Sequence, residues 1–347
     1  MPPALEAPDL DRLLRERGRS EELGAYVVAA AFSRDGNWAA FALGDGGVVF
    51  APRAAGSFVR REVHRGAALA LAPDVAGAAF LSGGDDGKLF VVPPEGDVTE
   101  LLHVPRKWVE HVASHPAGVR AAVVGRVVYL WDGKGALLKT LDHPSAVSGI
   151  VFDAKGKRIA ASHYNGVSLW FVASQSSQPR RLEWKGSHTA IALSPDGDVI
   201  VTAMQENALH GFRLSDGEHM RMSGYPAKTE SLSFTHNGKW LATSGAESVV
   251  LWPFTGGGPM GKAPLELAGG DGVLCTRVAC HPRMNVVAAG FDDGLVVLAE
   301  IDGKRILPVA APGRGAVTAL AWSPDGNHLA FGTESGFAAI VDFTARK

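Results

Sequence analysis

From about residue 25 onward the chain alternates short apolar runs with polar turns at a steady rhythm. Runs such as "LSFTHNG" and "LAWSPDG" each end in a polar hinge. Aligned on the residue that matches Ser323, the hinges are Ser33, Ala72, Ser114, Asp153, Ser194, Thr235, His281 and Ser323. The intervals between them are 39, 42, 39, 41, 41, 46 and 42 residues. Each hinge leads into a second apolar run, a Gly-rich turn and a third run. The third runs end at Phe50, Val91, Trp131, Trp170, Phe212, Trp252, Leu298 and Ile340. Five residues before these stand Asp45, Asp86, Arg126, Asn165, Asn207, Glu247, Asp293 and Ser335, mostly types that settle a turn by bonding their own backbone. The runs are too short for helices and read as strands joined by hairpins.

A less apolar fourth strand lies between units, at 57–63, 137–141, 181–184, 265–268 and 305–309. Four strands repeated at this period are the signature of propeller blades. The first strands read in columns. Phe32, Leu71, Ala113, Phe152, Leu193, Phe234, Cys280 and Trp322 precede the hinges, and Ala31, Ala70, Val112, Val151, Ala192, Ser233, Ala279 and Ala321 form the alternate, smaller column. Large residues on one face and small ones on the other let neighbouring blades interlock near a crowded axis. A single blade, apolar on both faces, has no independent stability.

The stretches LAWSPDGNHLAFGTESGFAAIVD, LSFTHNGKWLATSGAESVVLWPF, IVFDAKGKRIAASHYNGVSLWF and LSGGDDGKLFVV resemble the WD-repeat β-propeller family, over roughly residues 25 to 343. A literal Trp-Asp closes only one unit, at Trp131-Asp132, and the family's Gly-His is reduced to His143 and His188. The resemblance implies a buried His, Ser or Thr, Asp and Trp network in many blades. Unit four comes nearest, with His143, Asn165 and Trp170, so most blades are expected to rest on apolar packing. The expected fold is all-β: an eight-bladed β-propeller of four-stranded antiparallel blades. Family members close the ring by lending an N-terminal strand to the last blade, and residues 17–23 are in phase for that role. The expected division is an arm at 1–24, with a helical turn or two in DLDRLLRER docking Leu10, Leu13 and Leu14, and a single propeller domain at 25–347.

Composition narrows the function. A net charge of −2 gives no basic field for a phosphate backbone, so nucleic acid is not an expected partner. The short basic clusters Arg60, Arg61, His64 and Arg65, and Arg180, Arg181 and Lys185, read as solvated strand faces. There is no secretory pattern at the N-terminus and no apolar run long enough to span a bilayer, so no membrane is expected. Cys275 and Cys280, five apart in one strand, point to opposite faces and do not pair, which fits a cytoplasmic location. Ala, Gly and Arg richness points to a GC-rich bacterial source.

Several stretches imitate chemistry. TGGGPMGKAP, residues 255–264, nearly spells a P-loop, but Ala263 supplies no hydroxyl for Mg²⁺ and Pro264 opens no helix. His111 and His115 flank a hinge, and Cys275, Cys280 and His281 point to both faces of a strand, so neither group is a metal site. The repeated Ser-Pro-Asp-Gly at Ser194 and Ser323 is turn punctuation, not a carboxylate dyad. No catalytic residue, cofactor or metal is expected.

The remaining signal is polar or aromatic residues breaking the columns where the first strands begin: Trp108, Glu110, His188, Glu230 and Arg277. The turns after the second strands, on the same face, add Asp85, Tyr164, Glu206, Asp292 and Glu334. Such a ring suits a protein or basic peptide partner. The alternative is a solvated rim with polar channel lining, Glu110 and Arg277 facing each other across water. The expected function is a non-catalytic protein-interaction scaffold; its rivals are a ligand- or metal-handling propeller and a propeller enzyme with its site at the channel mouth.

Overall fold

Each hinge is a small hydrogen-bonded device. In the computed structural model, which describes residues 9–174 and 178–345, the Ser33, Ser194 and Ser323 hydroxyls donate to Asp35, Asp196 and Asp325 at 2.6, 2.5 and 2.6 Å. Each serine oxygen also accepts the amide five residues on, and each aspartate the amide two residues on. Thr235 and Asn237 repeat the scheme in unit six. The glycine that ends the turn has a positive φ, 77° at Gly326, which only glycine adopts without strain. In these four units the sequence thus bends the first strand into the second through a locally hydrogen-bonded turn.

The first strands, Val27–Phe32, Ala68–Pro73, His111–His115, Val147–Phe152, the second half of Arg180–Leu193, Leu232–Phe234, Cys275–Cys280 and Val317–Trp322, touch in that order, and the last touches the first again. They form a closed ring, with the sheets radiating from it. The core lies between sheets: Phe50 of unit one meets Phe80 of unit two at 5.7 Å between ring centres, both fully buried. The last sheet is completed from the N-terminus, Gly18–Glu22 pairing antiparallel with Phe337–Asp342 from Gly18↔Val341 to Glu22↔Phe337. Before it, the helix Arg12–Arg17 buries Leu14, with Leu13 packed on the same cluster, between units seven and eight. Asp11 holds the helix to the ring by accepting the Ala311 amide at 2.6 Å and pairing with Arg314 at 2.7 Å. Residues 1–8 of the expected arm and 346–347 of the expected domain lie outside the described residues.

The expected count of eight blades, each its own four-stranded sheet, is corrected. The described strands form seven sheets, six of four strands and one of six. The six-stranded sheet runs Val147–Phe152, Arg158–Phe171, Arg180–Leu193, Val199–Met204, Ala208–Arg213 and His219–Met222. Two long strands fuse the sequence units four and five. Arg158–Phe171 turns at Asn165 and Gly166, both with positive φ, so its halves pair with different neighbours. Arg180–Leu193 runs on without a loop, ending unit four with its first half and opening unit five with its second. A bulge absorbs the change of direction: Tyr164 pairs with Ser187 but Gly166 with Glu183, and the intervening Gly186 amide donates to the Asn165 side chain at 3.2 Å. Elsewhere a loop separates one unit's fourth strand from the next unit's first.

Candidate functional site: the turn face of the ring

The beginnings of the first strands and the turns between second and third strands lie on one face, and the turn residues hold the connecting loops there. Asp292 accepts the Leu274 amide at 2.9 Å, Glu334 that of Ala316 at 3.1 Å, Glu247 that of Gly272 at 3.2 Å and Asp86 that of Arg65 at 3.2 Å. Asp85 joins through its backbone, its amide donating to Ala67 at 3.0 Å. The acids expected to ring this face are therefore partly spent on its scaffolding. Glu206 stays exposed and Glu110 half-buried, neither in an ion pair among the described residues.

Beneath the loops lie buried polar networks. His64, expected on a solvated face, is buried: it meets Asp86 at 3.0 Å and Ser82 at 2.9 Å, so unit two carries a network the sequence reading missed. Its signal was position, since His64 and His143 each stand 22 residues before the turn residues Asp86 and Asn165. In unit four the Trp170 indole donates to His143 Nε2 at 3.1 Å, while Asn165 turns instead to Gly186. In unit six Tyr225 holds the same position before Glu247, accepting from Trp252 at 2.7 Å and meeting Thr243 at 2.6 Å. Burial pushes the His64 and His188 pKa values down, that of His143 to about 4 and that of His210 to about 3. His188, counted among the partner residues, is fully buried, with its ring nitrogens on Thr202 at 2.7 Å and the Trp184 carbonyl at 2.9 Å. It supports the face from below.

The mouth itself is made by Tyr26, Trp108, Glu110, Glu230 and Arg277. Arg277 does not reach across to Glu110. It pairs with Glu230 of the adjacent unit at 2.9 Å and donates to the Thr318 carbonyl of the next at 2.8 Å, bridging three units. Trp108 is 59% exposed, although its neighbour Val109 is fully buried and its amide donates to Gly84 at 3.0 Å. A Cβ at Gly83 would run into Val109, so glycine there lets the loop sit low while Trp108 stands out. Tyr164, at 58%, and Tyr26, at 45%, are also exposed; Tyr26 was not foreseen, since it stands outside the strand columns. A cavity of about 920 Å³ opens beside the bulge, between Tyr164, Trp184, Arg181 and Lys185.

The imitations of chemistry resolve as loops and packing. Residues 255–264 contain no helix, and Lys262 donates to carbonyls of its own loop, Thr255 and Gly256. His115 is tied to the Ala117 amide at 3.1 Å and the Ala154 carbonyl at 3.3 Å. Both cysteines are free thiols, pushed up to about 12 by burial. Among the described residues no three His, Cys, Asp or Glu side chains converge on a metal position, and no helix is long and apolar enough to cross a membrane.

A family model described as the anaphase-promoting complex subunit 4 WD40 domain matches residues 278–347. The WD repeat-containing protein slp1 of Schizosaccharomyces pombe is 30% identical over 115 residues, 31% of this chain and 23% of that protein. These matches support a WD-repeat β-propeller family for this chain. Telomerase protein component 1 of Rattus norvegicus is 26% identical to the propeller over 285 residues, 76% of this chain. The propeller spans only 23% and 10% of the lengths of these two relatives. Among solved structures, the crystal structure of the computationally designed Ika8 protein superposes with a TM-score of 0.75 at 19% identity, covering 93% of this chain and 98% of that one. That likeness concerns the fold.

Proposed function

We propose that this propeller is a non-catalytic scaffold that docks another protein on its turn face. One observation carries the reading: Trp108, Tyr164 and Tyr26 are large aromatics held exposed on a face whose loops are pinned by hydrogen bonds from their backbone amides to the acidic turn residues. Rigid, exposed aromatics are the side chains that most often dominate binding energy at protein interfaces, because they bury much area at little entropic cost. Glu110 and Glu206 add negative charge beside them and favour a partner with basic residues. The cavity between Tyr164 and Lys185 supplies a recess for an anchoring side chain.

The test is affinity capture of a stoichiometric partner, followed by titration with purified variants. Trp108→Ala and Tyr164→Ala are each expected to weaken binding at least about ten-fold, the cost of truncating an interface anchor. Glu206→Lys should slow association with a basic partner, whereas Lys155→Glu, in a hinge on the opposite face, should leave binding unchanged. Capture that survives both aromatic substitutions overturns the assignment.

A further inference from the structure

On the opposite face the hinges surround the other mouth of the ring, and one of them carries an arginine, where units three, four and six place His115, Ala154 and His236. Where units two, five, seven and eight place Pro73, Pro195, Pro282 and Pro324 after the hinge residue, unit one places Arg34. Its guanidinium reaches over two neighbouring units: Nε donates to the Asp74 carbonyl at 3.0 Å, and Nη2 to the Ser114 carbonyl and hydroxyl at 2.7 and 2.9 Å. All three acceptors are neutral. The carboxylate of Asp74 is taken by Arg120, which forks onto it at 2.6 and 2.8 Å, both side chains buried. Two guanidiniums therefore share the neighbourhood of one carboxylate. Arg34 has no ion pair among the described residues, and its Nη1 has no hydrogen bond there.

Beside Arg34 lies a cup of about 410 Å³, walled by Phe32, Pro73, Pro282, Trp322 and Pro324. Its polar atoms are spent: the Trp322 indole donates to the Ala279 carbonyl at 3.0 Å and the Ser323 hydroxyl to Asp325 at 2.6 Å. A half-buried cation with no carboxylate in direct contact, at the rim of an otherwise apolar cup, is half of a recognition site. We propose that the hinge-side mouth binds a small apolar monocarboxylate, its carboxylate on Arg34 and its hydrocarbon in the cup. The volume falls in the range of small-molecule sites. One cation matches one negative charge, since a dianion would bring a second charge into apolar walls with nothing to pair it. The bond formed would join two ions, stronger than the bonds to neutral oxygens that Arg34 now makes.

The test needs only the wild-type chain to begin with. Octanoate and 4-phenylbutyrate are titrated by calorimetry and by melting temperature, against octan-1-ol and 4-phenylbutan-1-ol, which keep the hydrocarbon and lose the charge. The acids are expected to bind and raise the melting temperature, the alcohols to bind at least ten-fold more weakly. Arg34→Met should remove the preference for acid over alcohol, with Arg34→Lys retaining part of it and serving as the control for folding. Equal binding of acid and alcohol, or no binding of either acid to the folded wild-type protein, overturns the proposal. Preferential binding of a leucine-ended tetrapeptide with a free carboxylate, octanoate failing, overturns its assignment to a free acid.

Discussion

The two faces of the ring are held by different chemistry. On the turn face the buried histidines 64, 143, 188 and 210 and Tyr225 are neutral at pH 7: they form hydrogen bonds with hydroxyls, carbonyls, an indole, the Asp86 carboxylate and a second imidazole, His219, and burial keeps the histidines uncharged. On the hinge face the ties include ion pairs beside the neutral hinge bonds and the buried His281: Asp74 with Arg120, Asp153 with Arg158 at 2.9 Å and Asp325 with Arg53 at 2.7 Å. Each face also has an arginine at its mouth, and they differ in the same sense. Arg277 meets Glu230; Arg34 meets only neutral oxygens. At the turn-side mouth the arginine is neutralised beside exposed aromatics and acids, whereas at the hinge-side mouth the arginine keeps its charge to offer.

The contrast breaks most visibly at Asp74. Asp74→Ala leaves Arg34 and Arg120 together without a carboxylate, and removing one partner of a buried pair costs about 3–5 kcal/mol. Urea unfolding should show a loss of that size, and a loss below about 1 kcal/mol would mean the hinge-side charges are solvated after all.

How far these faces were legible differs for physical reasons. The hinges could be read because Ser, Pro, Asp and Gly each do one local job, and local jobs repeat in sequence. His64 was hidden inside the run RREVHRG, since burial depends on the loop that folds over it and not on its neighbours in the chain. Tyr225 was hidden because a phenol replaces an imidazole while keeping only the acceptor role toward Trp252. The fused sheet could not be read either: nothing in EWKGSHTA marks it as unbroken strand, because the bulge is set by Asn165 in the facing strand. Arg34 was in plain view as the arginine in SRDG, but its missing counter-ion exists only in three dimensions.

Acid separates the faces more sharply than mutation. Because the folded pKa of His143 is about 4 and its ordinary value is 6.5, the unfolded chain binds the proton more readily between those values. Its contribution is complete above pH 6.5 and is lost as pH falls toward 4, at about 1.4 kcal/mol per pH unit. The geometry shows why: an indole N–H only donates, so His143 Nε2 must stay unprotonated to accept from Trp170. Asp153 and Asp325 respond in the same direction but at lower pH, since their contribution too is lost only as pH falls below their ordinary value. Burial works against them, but hydrogen bonds and a neighbouring guanidinium hold both carboxyls below their usual range, so they keep their charge until below pH 3.8. Stability measured by urea at pH 7, 6, 5 and 4.5 should fall, and His143→Phe should flatten the slope by about one histidine's share. An unchanged slope in that variant would remove His143 from the acid response.

The smallest effect comes from making the turn-side arginine resemble the hinge-side one. Glu230→Gln takes the counter-ion from Arg277 and leaves it the carbonyls of Thr276 and Thr318, much as Arg34 has those of Asp74 and Ser114. The Glu230 side chain is 56% exposed, so water and salt already screen the pair. Its loss should cost no more than about 1 kcal/mol, and less still in 0.5 M salt. A cost near that of Asp74→Ala would show that both arginines sit in equally dry surroundings, and the difference between the two mouths would then reduce to the presence of the apolar cup beside Arg34.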